Sequence, residues 1–361
     1  MATLTEAAYY TRRAIKYGAV GLVIIIVARI GFGIFATLWK AANPPAPLPP
    51  TVAFGKLPPL PLPPQEKPPL TFTLETVTGT TGVFDPLATV YLVPAARGSL
   101  LALERATELA EKMDFLFEPV RIGETLYRWT KDKPLPSSLE VDLFTNHFTF
   151  DANWRVQPQL LSEAQALSEV DAIAEARSWL SGLRLSPEDL EAGEVNVTYL
   201  KVSGTDVVPA LSQSEAQFVR VDLFRSNLEE RDEEEVVVKE FRILPLDPSQ
   251  GVVSVLLLKR SRARAQVIHA EYRYLPVEYE QSGTYPLITS QSAWERLQKG
   301  DAYYAVIPEN RDRIAIRRIT LDYLDPPAAG IFLQPIFVFE GDVGFTAYVP
   351  AVSEEQILES Q

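Results

Sequence analysis

Apolar and polar positions along this chain fall into three regimes. From Tyr17 to Trp39 the run YGAVGLVIIIVARIGFGIFATLW is almost continuously apolar. From 40 to 70 prolines interrupt every pattern, and from 71 onward short alternating runs are broken by three stretches of helical period. The first regime has the length of a membrane-spanning helix: 22 steps at about 1.5 Å give roughly 33 Å, enough for about 30 Å of hydrocarbon. Tyr17 and Trp39 stand where interfacial aromatic anchors belong. The expected order is a cytoplasmic stub (1–16), a transmembrane helix (17–39), a Pro-rich linker (40–70) and a long body.

Arg29 sits near the middle of the span. Twelve Val, Leu, Ile and Phe residues between Val20 and Leu38 contribute at most about −5 to −6 kcal/mol of insertion energy, against roughly 3 kcal/mol of cost for the arginine. Insertion wins by a reduced margin. Arg29 either snorkels to the interface or meets an acidic partner on another membrane protein. The second reading makes Arg29 and Gly33 the expected membrane contact, and it allows several copies to pack through their spans. Arg12, Arg13 and Lys16 precede the span, while Lys40 and Lys56 follow it more sparsely, so the positive-inside rule places the N-terminus in the cytoplasm and the body outside the cell membrane. Trp39 and Lys40 occupy the place of a small-x-small cleavage site, and the chain has no cysteine for a lipid anchor.

The linker holds 12 of the 29 prolines within Asn43–Pro69. Such a segment cannot build a helix or a central strand, so it is expected to run as a stiff polyproline stalk, up to roughly 80 Å long at about 3.1 Å per residue. Its apolar insert, Thr51 to Phe54, is expected to pack on a partner or on the body.

The body reads as three successive α+β modules, each a helix on antiparallel sheet: 71–157, 158–250 and 251–352, with a tail at 353–361. In the first, strands at about 71–78 and 88–94 precede a helix from Ser99 to about Asp114, whose stripe is Leu100, Leu103, Ala106, Leu109 or Ala110, and Met113. Strands at about 120–130 and 139–150 follow. In the second, Ser168 and Asp171 cap a helix that Gly182 ends, and strands are expected at about 194–203, 217–225 and 236–246. In the third, strands at about 252–259 and 264–275 lead to a short helix opened by Ser292 and Glu295 and ended by Gly300. Its last strands, at about 331–339 and 344–351, flank Glu340–Gly344 as a hairpin, with Pro335 pushing the first toward an edge or a bulge. Val141–Phe144 and Val221–Phe224 both read VDLF, an echo that hints at duplication.

Net charge is −13; residues 1–40 carry five basic and one acidic side chain, which leaves −17 on the rest. An acidic body is repelled by nucleic acid and by anionic lipid. Zero cysteines excludes a disulfide-stapled secreted domain.

The run Tyr285 to Gly300 resembles a helix-opening segment of YycH/YycI-type regulatory ectodomains and PepSY-like modules, and Phe332–Gly341 followed by Phe345–Ala351 resembles their closing hairpin. The likeness covers about residues 250–352 and the overall topology. It implies an ectodomain that modulates a membrane histidine kinase by contact, without catalysis.

For chemistry the chain offers two histidines, His147 and His269, without the further spacing of a metal site. Both read as ordinary strand residues. No phosphate loop, nucleophile elbow or metalloprotease motif is present. The acidic run Glu229–Glu235 and the basic turn Lys259–Arg264 read as solvated loops between strands. The expectation is therefore a single-pass, extracytoplasmic scaffold or regulatory subunit that works through protein contacts. It has no expected catalytic residue, cofactor or metal; its partners are the bilayer and other membrane proteins. The alternative is an envelope enzyme or carbohydrate-binding protein whose site is built from dispersed carboxylates and aromatics. A deep pocket lined by such residues would favour the alternative; shallow surfaces and exposed sheet edges would favour the scaffold.

Overall fold

A computed structural model describes residues 49–94, 100–162, 164–231, 236–260, 265–328 and 331–359, together with eight positions between 17 and 35. Met1–Pro49 and Pro50–Gln361 are separate units. In the first, Tyr17, Leu22, Ala28, Arg29, Gly31 to Gly33 and Phe35 are helical and exposed. Trp39 and most of the expected span lie outside the described residues. Among the described residues no helix is long and apolar enough to cross a membrane.

In the second unit, β1 (Thr71–Leu74) and β2 (Leu87–Leu92) precede a helix, Ala102–Lys112. A meander follows: β3 (Val120–Arg121), β4 (Leu126–Lys131), β5 (Ser137–Asp142) and β6 (Phe148–Ala152). The helix Glu169–Leu183 and the one-turn helix Glu188–Glu191 lead to β7 (Val195–Ser203), β8 (Asp206–Pro209) and β9 (Phe218–Leu223). Next come β10 (Leu228–Arg231), β11 (Val237–Phe241), β12 (Ile243–Leu244), β13 (Val253–Lys259), β14 (Ala265–Tyr272) and β15 (Glu278–Pro286). After the helix Ser290–Gln298 the chain closes with β16 (Tyr303–Val306), β17 (Arg313–Leu324), β18 (Phe332–Gly341) and β19 (Thr346–Pro350).

These strands make an α+β fold of two large sheets, almost wholly antiparallel. The larger has nine strands in the order β3-β4-β5-β6-β14-β13-β9-β7-β8. The smaller has β1-β17-β18-β19-β16, with β12 alongside β17 and the β2–β15 pair joined through β18. Period-2 alternation sets the larger sheet's faces. Leu139 and Val141 of β5, Phe148 and Phe150 of β6, and Ile268 and Ala270 of β14 are buried in one core. That core also takes Ala106 and Ala110 of the first helix, and Ala172, Ala176, Leu180 and Leu183 of the second. Small side chains at i and i+4 let each helix approach the sheet closely. The third helix buries Ala293, Trp294 and Leu297 in the smaller sheet's core with Phe337, Phe339 and Phe345.

Three successive modules are not how the sheets are composed. Strands from all three expected segments share the larger sheet, and β1 and β2 cross over to the smaller one. Alternation marks a strand's faces but not its neighbours. The VDLF echo does fall at matching places: β5 and β9 each stand one strand away from β14, across β6 and β13.

Several boundaries move for local reasons. The first helix starts at Ala102, with Leu100 and Leu103 exposed rather than in its buried stripe. The 120–130 stretch is a hairpin of β3 and β4, and the 139–150 stretch breaks between β5 and β6. There Asp142 Oδ1 accepts the N–H groups of Phe144 (2.7 Å) and Thr145 (3.0 Å), while Asn146 turns left-handed at φ 59°. Ser168 caps the second helix through the Asp171 N–H as expected, but Arg184 rather than Gly182 takes the left-handed stop, at φ 62°. The third helix is capped by Thr289 instead of Ser292. Pro335 lies in a central strand: the Ala351 N–H reaches its carbonyl just past the end of β19, so its missing N–H falls where that ladder has stopped.

The largest departure concerns the linker. From Thr51 onward it is strapped along the smaller sheet. Thr51 exchanges backbone-to-side-chain bonds of 2.9 Å with Thr284, and Val52 donates to the Thr284 carbonyl. Tyr285 Oη accepts the Phe54 N–H and donates to the Gly55 carbonyl. Leu57, fully buried, bridges to Ile357, and Leu60 and Leu62 pack on Leu324, Ile336 and Tyr348. Gln65 pairs with the Tyr304 backbone through both amide atoms (2.9 and 3.0 Å). Proline forbids a ladder hydrogen bond but not side-chain burial, and the leucines between the prolines supply it. Leu57→Ala should therefore cost about 2–5 kcal/mol in urea unfolding of the full-length chain. A change below about 0.5 kcal/mol, the range of surface substitutions, would show that the strap does not hold.

Candidate functional site

Four chain segments converge where the two sheets meet. Arg225 follows β9, Tyr274 and Leu275 follow β14, Asp325 follows β17, and Asp189 lies in the one-turn helix Glu188–Glu191. Gly193 locks the approach: a Cβ there would fall 1.8 Å from the Phe224 carbonyl oxygen, so only glycine lets the chain pass. The Arg225 side chain is fully buried. Its Nε donates to Asp325 Oδ1 (2.9 Å), its Nη1 to Asp189 Oδ2 (2.8 Å), and its Nη2 to the Leu275 carbonyl. The guanidinium also lies 4.1 Å from the Tyr274 ring centroid, and Tyr274 Oη donates to Asp189 Oδ1 at 2.8 Å. Burial acts to lower the Arg225 pKa, but Asp325 and Asp189 outweigh it and raise it further. Burial pushes the Asp325 carboxyl above its ordinary value of 3.8, and Arg225 pulls it back.

Next to this cluster is a cavity of about 270 Å³. The Pro245–Asp247 turn, Val252, Tyr303 and the Asp325–Pro327 run form part of its wall, together with Arg273 and His147. Two buried polar atoms of these residues have no hydrogen-bond partner: Asp325 Oδ2 and His147 Nε2. His147 sits in the β5–β6 turn, one residue before β6, rather than within a strand. Burial pushes its pKa down, reinforced by Arg273 and opposed by Asp142. Nε2 of the ring stands buried without a partner, and a neutral imidazole can present it as an acceptor.

A second feature is the outer edge of the larger sheet. Leu116, Phe117, Val120 and Ile122 are 80, 74, 65 and 38% exposed, beside a buried Phe115. Phe144, in the same turn as His147, is also exposed.

The residues singled out in the sequence stand elsewhere. Tyr17, Arg29 and Gly33 belong to the first unit. His269 lies in β14 as expected, on the larger sheet's polar face, with Nδ1 3.2 Å from Asp151 and Nε2 3.5 Å from Glu271. Residues 232–235 of the acidic run and 261–264 of the basic turn lie outside the described residues. Among the described residues no group of three His, Cys, Asp or Glu side chains could hold a metal. Arg225, Asp189 and Asp325 escaped sequence reading because they are 36 and 100 residues from one another and belong to no motif.

No protein-family model and no curated protein matches the chain. Among solved structures it is similar to an uncharacterised protein from Eubacterium rectale ATCC 33656, with 9% identity over 73% of this chain and 82% of the other, at a TM-score of 0.33. That similarity carries no argument about the site.

Arg225→Leu should destabilise the protein by about 3–5 kcal/mol, because two carboxylates are left buried without their cation. A buried carboxyl with a raised folded-state pKa contributes stability below its unfolded value and loses it as pH rises, so the deficit of the variant should shrink on acidification. Unfolding midpoints across the acid range decide it; a deficit independent of pH would contradict the cluster. His269 behaves in the opposite direction to a paired acid. Bonds to Asp151 and then Glu271 raise its pKa from 6.5 to about 9. Its contribution is full below 6.5 and is lost as pH rises through about 9. The gap between wild type and His269→Gln should close over that window, and a gap that widens there would be the wrong sign.

Proposed function

We propose that the chain is a single-pass, membrane-anchored extracytoplasmic protein that serves as a scaffold or regulatory subunit through protein contacts. The span is Tyr17–Trp39, with Arg29 and Gly33 as its contact to another membrane protein. The observation that carries the reading is the exposed apolar run Leu116, Phe117, Val120 and Ile122 beside the edge strand β3. Large apolar side chains gathered in one exposed place mark a surface that meets a partner, and a sheet edge offers unpaired backbone groups beside it. The likeness to YycH/YycI-type ectodomains agrees with this class. The strap supports it in another way. The stretch between the proposed span and the first strapped residue is 40–50, in place of the 40–70 linker. A short tether limits how far a partner of the body can stand from a partner of the span.

Crosslinking in native membranes followed by mass spectrometry tests the proposal. Wild type should need detergent for extraction and should capture a protein partner. Arg29→Leu and Phe117→Lys should each lower the captured amount several-fold, with Phe117→Lys leaving the unfolding midpoint within the range of surface substitutions. A chain that is water-soluble without detergent, mature material beginning after Trp39, or the same capture by all three proteins would overturn it.

A further inference from the structure

We propose that the cavity between the two sheets binds a small organic ammonium ion. The charge count of the cluster behind Asp325, which lines the cavity, points there first. One guanidinium, Arg225, faces two carboxylates, Asp189 and Asp325, so the buried cluster has one negative charge in excess. Arg225 takes Asp325 Oδ1, and the second oxygen, Oδ2, has no partner. His147, on the same wall, leaves Nε2 buried without a partner, and its neutral ring can present that nitrogen as a second acceptor. Two acceptors in one cavity call for a ligand with at least two N–H or O–H donors, and an ammonium group brings three together with the missing positive charge.

The rest of the wall fits the remainder of such a ligand. Pro245, Leu246, Val252, Pro326 and Pro327 present carbon, which suits a short aliphatic chain, and Tyr303 adds an aromatic ring. Asp247 stands on the rim with its Oδ1 already accepting from Ser249. Arg273, which also lines the cavity, is held by Glu271 and so repels a cation less than a free arginine would. At about 270 Å³ the space is at the low end for ligand pockets, which are typically about 300–1,000 Å³. Water is the competing occupant, since the same acceptors could be met by two or three molecules. This inference does not depend on the membrane anchor or on the exposed edge.

The test is calorimetric titration of the purified full-length protein with n-butylammonium, tetramethylammonium and erythritol. n-Butylammonium should bind at millimolar concentration. Tetramethylammonium, which has the charge but no N–H, should bind about tenfold or more weaker, and erythritol, which has donors but no charge, should also bind more weakly. His147→Leu should lower the n-butylammonium affinity about tenfold, and His147→Gln, which keeps an acceptor, should restore part of it. Asp325→Asn, if folded by its unfolding midpoint, should abolish the preference for n-butylammonium over erythritol. No heat with any alkylammonium would leave the cavity to water and overturn the proposal. So would equal binding of tetramethylammonium, tighter binding of erythritol, or an affinity unchanged in His147→Leu.

Discussion

A buried arginine ties the two sheets of the body together at their seam. Each sheet has its own apolar core, and those cores are complete without each other: one under the helices at 102–112 and 169–183, the other under the helix at 290–298. At the seam Leu275 joins an apolar cluster with Tyr323 and Leu333, and Arg225 leaves β9 of the larger sheet and takes hold of Asp325 at the end of β17 of the smaller. A guanidinium suits the place because its donors lie in a fixed plane. One group reaches Asp325, Asp189 and the Leu275 carbonyl at once, where an ammonium would act as a point charge. Desolvation makes such a pair a weak source of net stability but a strict one, since losing either partner strands a charge in a dry place.

The strap works by a different kind of chemistry and packs on the smaller sheet. Its prolines keep the chain extended at low entropic cost, and Leu57, Leu60 and Leu62 turn inward. Leu57 meets the tail at Ile357, so both ends of the second unit are stitched to the same sheet. A second, half-exposed arginine repeats the seam's device within that sheet: Arg242 holds Asp322 at 2.7 Å and Glu340 at 2.7 Å.

Much of the fold was legible residue by residue, and little of it module by module. The last two strands and the end of the third helix were placed within a few residues, because Phe332 to Phe339 is apolar on both faces and Gly300 must turn left-handed at φ 77°. The Ser168 cap was legible because capping is a three-residue event. Sheet order was not, since β14 lies beside β6 across more than a hundred residues and nothing in either strand names the other. The strap misled because proline content speaks for backbone hydrogen bonding and is silent about where Leu57, Leu60 and Leu62 go. His147 was read as a plain strand residue. Its neighbours in sequence are phenylalanines, while those that give it meaning, Arg273 and Asp325, come from just past the ends of β14 and β17.

The seam also costs more than holding two sheets together requires. One carboxylate would balance Arg225, yet two are present, and Asp325 keeps an oxygen that nothing satisfies. A buried polar atom without a partner costs about 1–3 kcal/mol, and His147 Nε2 adds a second on the same cavity wall. Together they rival a large part of the roughly 5–15 kcal/mol that keeps a domain folded. A leucine in place of His147 and a tighter wall would remove the cost and leave the Arg225 bonds intact. Chains that break their own packing rules do so where something else is gained. At this seam the gain is a cavity whose unmet acceptors and surplus charge are satisfied together by one small cation.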